Sequence, residues 1–166
     1  MKLQLVTPVG IKRDEDVYEV TLPTRTGEIG VLPGHEPLVT LLEIGVMTVR
    51  KKKDDSDKML EYFAVTSGIV EIDGEKILIL ADEADEPDDI VENEVKAALE
   101  RAKKLHSKAN TQIDITEAQK LLKRHASQLK VAELRRRHHK NRSTLDISGV
   151  KNNKNENNIE TRHETK

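Results

Sequence analysis

The sequence predicts a mixed chain of β then α structure: an N-terminal antiparallel β-sandwich followed by a C-terminal antiparallel two-helix hairpin. Three observations predict it. From Lys2 to Ala84 short apolar runs alternate with turn residues, and no helical period intervenes, the pattern of antiparallel sandwiches and barrels. At Pro87-Asp88-Asp89 the period changes, with a proline and acidic residues placed as at a helix start. Beyond that point two apolar stripes with the same offsets flank a short polar loop, as in a helical hairpin.

The β runs are Lys2 to Thr7, Val17 to Leu22, Leu38 to Leu42, Gly45 to Arg50, Met59 to Thr66, Ile69 to Ile72 and Ile77 to Leu80. Asp73-Gly74 between two of them predicts a hairpin with a two-residue type I′ turn, which needs φ > 0 at both positions. Asp54 to Asp57 predicts another hairpin, and Ser67-Gly68 a bend. The stripe Val91, Val95, Ala98, Ala102, Leu105 marks the first helix, and Ala118, Leu122, His125, Leu129, Ala132 the second. The second is expected to start near Asp114 or Thr116, with Thr116 and Gln119 as a capping box. Alanine-rich stripes let helices approach closely but bury little, so the hairpin is expected to be weakly packed. After His139 the chain turns asparagine-rich and loses its period. The predicted organisation is therefore a sandwich over 1–86, a hairpin over 87–139 and a disordered polar tail over 140–166.

Charge is segregated. Between Glu71 and Glu94 eleven acidic residues face a single Lys76, and Lys120 to Arg142 holds nine Lys or Arg against Glu133 alone. Such blocks imply interaction faces or the association of one block with the other. There is no cysteine, which excludes a disulfide framework and thiolate metal sites. No apolar run reaches the roughly 18 to 20 residues of a membrane span, and no signal-peptide pattern opens the chain, so a soluble protein able to sit beside a membrane is expected. Gly27 to Gly34 lacks the Lys-Ser/Thr of a phosphate loop. His35 is the only histidine of the β part, and no nucleophile has a partner motif. No catalytic, cofactor-binding or metal site is expected. The basic second helix admits a nucleic-acid-binding reading through Lys120, Lys123, Arg124, Lys130 and Arg135 to Arg137. The three aromatics (Tyr18, Tyr62, Phe63) all lie in the β part, so that helix has no stacking platform.

Leu22 to Gly45, LPTRTGEIGVLPGHEPLVTLLEIG, carries four glycines and three prolines at fixed offsets. Its core of Gly27, Glu28, Gly30, Pro33, Gly34, His35, Pro37 and Leu38 closely resembles the sandwich domain of the epsilon subunit of the F-type ATP synthase. The likeness extends over Leu5 to Gly10, Ser67-Gly68 with Val70-Glu71, Leu80 to Asp82, Lys96 to Ala102 and Leu129 to Leu134. It implies a non-catalytic rotor subunit of a bacterial enzyme, peripheral on the cytoplasmic side of the plasma membrane, coupling proton flow to ATP synthesis. The resemblance implies that Glu28 and His35 meet the c-ring, and that Thr7 and Thr40 face the gamma subunit. It also implies that the hairpin opens toward the alpha and beta subunits and restrains ATP hydrolysis, with Lys123, Arg124, Lys130, Arg135 and Arg136 as contacts to beta. Where some members carry an I-D-x-x-R-A motif for ATP, this chain has Ile90, Val91, Glu94 and Val95, so the aspartate and arginine are missing and ATP sensing is not expected.

Overall fold

The computed structural model describes residues 1–151, with side chains through Arg137. Ten strands come first: β1 (Lys2–Thr7), β2 (Gly10–Asp16), β3 (Glu19–Thr24), β4 (Gly27–Val31), β5 (Leu38–Leu42), β6 (Gly45–Arg50), β7 (Glu61–Val65), β8 (Gly68–Ile72), β9 (Lys76–Ala81) and β10 (Ala84–Asp85). Two helices follow, α1 (Glu92–Lys108) and α2 (Gln112–Lys151). The strands form one path, β10-β7-β6-β3-β5-β8-β9-β1-β2, with β4 on β3.

This path folds over at β3. Its first residues pair with β6 (Glu19↔Arg50 to Thr21↔Thr48), whereas Thr24 pairs with Leu42 of β5. Pro23 sits at the handover, its carbonyl accepting the Glu43 amide at 2.9 Å. The strand thus runs through the proline, which the sequence reading treats as punctuation. The two layers, β5-β8-β9-β1-β2 and β4-β3-β6-β7-β10, enclose Leu3, Leu5, Val20, Leu22, Met47, Val49, Phe63, Val70, Ile77 and Ile79, all buried. Each such side chain contributes about 1.5–3 kcal/mol by leaving water. All pairs are antiparallel except β1 with β9, which are parallel.

Three strands carry no legible β signal, the two-residue β10 among them. β2 reads GIKRDED, charged throughout, because it is an edge strand whose inward side meets ions instead of oil. Arg13 lies over the Phe63 ring, 5.2 Å from its centroid, and pairs with Glu86 at 2.7 Å. Lys51 bridges Glu61 at 2.9 Å and Glu15 at 3.0 Å, and those hydrogen bonds, Glu61 first, raise its pKa. The sandwich rim between β2 and β7 is therefore closed by charge. β4, GEIGV, lies within the stretch that the sequence presents as turns.

The β8–β9 hairpin forms, but not through a type I′ turn, since no non-glycine residue among those described has positive φ. Asp73 instead accepts the amides of Glu75 and Lys76 at 3.1 and 2.7 Å, and Gly74 alone takes φ +94°. Ser67-Gly68 is the crossing from one layer to the other, because β7 pairs with β6 and β10, and β8 with β5 and β9.

Pro87–Asp89 makes one 3₁₀ turn and not the start of the first helix, because Ile90 and Val91 are extended (ψ 109° and 95°). The second helix begins at Gln112. Its cap is Thr111, whose hydroxyl accepts the Asp114 amide at 3.1 Å, while Thr116 donates to the Gln112 carbonyl at 2.8 Å. The helix also runs on to Lys151, past the expected break at His139. No proline lies between them, so the loss of apolar period there removes a packing face without breaking the helix. The rest of the expected tail, 152–166, lies outside the described residues. Among these no helix is long and apolar enough to cross a membrane.

Candidate functional site

The two outer faces of the sandwich differ. On the β6–β7 side, Val46 pairs with Ala64 and Thr48 with Tyr62, and α2 covers this patch with Val131, fully buried, and Leu134. Burial there raises the Tyr62 pKa. The contact uses a second stripe of α2: Arg124, Gln128, Val131 and Arg135, at spacings of four, three and four residues. Gln128 donates to Asp85 at 2.7 Å, Arg124 pairs with Glu83 at 2.7 Å and Arg135 pairs with Asp88. Ala118 and Ala132 of α2 and Ala102 of α1 are also buried, and the two helices pack along each other. The acidic and basic blocks of the sequence therefore meet within the molecule.

Among the described residues nothing covers the other outer face, and one row across it is apolar. Register aligns Leu41 with Ile69, Ile69 with Leu80, Leu80 with Val6 and Val6 with Ile11 across five strands. Leu41 and Ile69 are each 48% exposed, Leu80 46% and Ile11 62%, and Val39 beside them is 69% exposed. An antiparallel sheet facing water ordinarily shows polar residues there, and a contiguous apolar row marks an interaction surface.

Thr7 and Thr40 are not on this face. Thr7 is buried and its hydroxyl donates to the Gly10 carbonyl at 3.2 Å. Thr40 aligns through Val70 and Ile79 with Leu5, on the inward side. Nor do Glu28 and His35 share one patch. Thr24 pairs with both Gly27 and Leu42, which sets Glu28 at the Leu42 end of the sandwich. The Gly34 amide donates to the Gly74 carbonyl at 2.9 Å, which ties His35 to the opposite end. Of the five basic residues expected to meet beta, Arg124, Arg135 and Arg136 are paired internally, the last with Glu92 at 3.4 Å. Lys123 and Lys130 are exposed. The apolar row escaped the sequence reading, although LVTLL and ILIL, apolar at both parities, are the signal of strands covered on both faces.

A family model described as the ATP synthase Delta/Epsilon chain, beta-sandwich domain, matches residues 1–87. The ATP synthase epsilon chain of Bacillus licheniformis is 37% identical over 132 residues, 80% of this chain and 97% of that one. The chain belongs to the ATP synthase epsilon family. As a member it is a non-catalytic subunit of ATP synthase. The epsilon chain of Sulfurovum sp. is 43% identical over 67% of this chain and 83% of its own length. In fold, this epsilon-family chain is similar to a chain of the Euglena gracilis mitochondrial ATP synthase, solved as OSCP/F1/c-ring, with a TM-score of 0.66 at 23% identity over 78% of this chain and 79% of that one. A central stalk/c-ring structure of the Tetrahymena thermophila enzyme gives a TM-score of 0.53 at 17% identity, covering 80% of this chain and 96% of that one.

Proposed function

We propose that this epsilon-family chain is a rotor subunit of the central stalk that seats its open apolar face on the gamma subunit and one end of its sandwich on the c-ring. The carrying observation is the row Leu41, Ile69, Leu80, Val6 and Ile11, apolar and continuous across five paired strands. A stiff sandwich transmits torque where a loop would yield, which suits coupling of proton flow to ATP synthesis. In this reading the protein sits peripherally on the cytoplasmic side of a bacterial plasma membrane. Glu28 and His35 cap different ends, so the c-ring contact uses one of them and not both.

Co-expression with a gamma subunit followed by size-exclusion chromatography tests the reading. One-to-one co-elution is the expected result. Recovery of the chain with RNA or DNA, in a steeply salt-dependent complex, would favour the nucleic-acid alternative. Nothing in the fold supports that alternative, because three arginines of α2 are occupied by carboxylates of the chain itself.

The hairpin restrains ATP hydrolysis in this proposal by releasing from the sandwich and offering its basic residues to an acidic surface of beta. Substituting Lys123, Arg124, Lys130, Arg135 and Arg136 with alanine is expected to raise ATP hydrolysis by the assembled enzyme severalfold and to leave synthesis near normal. An unchanged hydrolysis rate would reduce these residues to a solvated and self-paired helix face.

A further inference from the structure

The open face has a second row beside the apolar one. On β8 the outward residue after Ile69 is Glu71, because Val70 and Ile72 on either side of it are buried. Register places Glu71 between Val39 of β5 and Leu78 of β9, and Leu78 in turn beside Gln4 of β1. Leu41 and Leu80 stand diagonal to it, and Ile69 lies on the same face of its own strand. A carboxylate is thus set among apolar positions near the middle of a face that is otherwise built to lose water.

Charges nearer the β2 edge are answered within the chain. Lys2 pairs with Asp14 at 2.9 Å, and Gln4 donates to the same carboxylate at 3.4 Å. Glu71 has no such partner: among the described residues its side chain makes no ion pair or hydrogen bond, and Lys76, the cation diagonal to it on β9, stays beyond ion-pair distance.

In the free chain this arrangement costs little, since Glu71 is exposed and keeps its hydration. A partner seated on the face removes that hydration, and an ionised group buried without a counter-charge carries a large penalty. Leucine at this position would serve a purely apolar contact better. A carboxylate instead makes the face reject any surface that offers apolar groups alone, and accept one that also brings a cation to this point. The planar fork of an arginine answers both carboxylate oxygens at once.

We propose that Glu71 is the specificity-determining residue of the open face: it receives an arginine or lysine side chain of the gamma subunit, and this pair sets the register in which gamma is seated. The inference rests on the reading that the open face meets gamma. To that reading it adds the chemistry of the partner surface, an apolar strip with one cation opposite the site ringed by Val39, Ile69 and Leu78.

Titration calorimetry of the full chain against a gamma subunit tests the pair. Glu71→Gln keeps the shape and removes the charge, and Glu71→Leu extends the apolar surface. Each is expected to weaken binding by about thirtyfold or more, as the loss of one member of a buried charge pair does. Thermal melts of both variants should match the parent, because an exposed side chain without partners supports little of the fold. A double-mutant cycle with Lys76→Gln separates the chain's own cation from that of gamma, and the two effects should add. The proposal is overturned if Glu71→Leu binds as tightly as the parent or tighter. It is equally overturned if Lys76→Gln weakens binding as much as Glu71→Gln and the double variant no further, since Lys76 would then be the partner. Leu41→Lys with Ile69→Asp reads the face itself. Loss of binding there beside unchanged binding by Glu71→Leu would remove this inference and keep the face, whereas parent-like binding by that double variant would remove both.

Discussion

Leu41→Lys combined with Ile69→Asp is expected to abolish association with a gamma subunit while leaving the sandwich folded. The two residues are cross-strand partners in the middle of the open face, and each is about half exposed. Little folding energy rests on them, and the substituted pair is of opposite charge, which a cross-strand position tolerates. In an interface they would sit at the centre of the buried patch, where a truncated anchor costs 2 kcal/mol or more. Two such losses, together with the burial of charge, lower affinity by on the order of a thousandfold. Titration calorimetry against gamma reads the affinity, and thermal melting reads the fold. Thr40→Ala, on the inward side of the same strand, is the control and should bind nearly as the parent does. Parent-like binding by the double variant would remove the open face from the interface.

Gly68→Ala should be among the most damaging single substitutions in the sandwich, although alanine is the smallest possible change. Gly68 lies at the start of β8, between Leu42 of β5 and Ala81 of β9. A Cβ there would meet the Leu80 carbonyl oxygen at 2.1 Å and the Ala81 Cα at 2.9 Å. Both obstacles are backbone in a paired strand, so neither can step aside without breaking the ladder. Overpacking of this kind costs about 3 kcal/mol or more. In a domain of this size that lowers the melting temperature by roughly 12–24 °C. Differential scanning calorimetry of the full chain decides, with Gly30→Ala as reference, since a Cβ at Gly30 meets nothing within 4 Å. A shift of only a few degrees for Gly68→Ala would mean that the β8–β9 pairing relaxes more easily than the geometry implies.

The sequence by itself determined the order of parts, most of the inner strands and the family. Alternation in segments such as Lys2 to Thr7 and Gly45 to Arg50 reports a buried face directly, because strand side chains alternate with period two. The Gly27 to Leu38 core carries its identity in residue types and spacing. Segregated charge also foretold that the acidic and basic blocks could meet. Tertiary structure decided the rest. β2 looks like a charged loop until Arg13 is seen spanning Phe63 and Glu86, since an edge strand whose partners are ions shows no apolar period. Gly68 looks like a bend residue until Leu80 is placed against it. The inward turn of Thr7 and Thr40, and the separation of Glu28 from His35, follow from register and from the fold at Pro23. One-dimensional spacing carries neither, because a register is fixed by contacts between strands distant in the chain. The second stripe of α2, Arg124, Gln128, Val131 and Arg135, was hidden for the same reason: three polar residues around one valine read as a solvated surface until the acidic linker lies beside them.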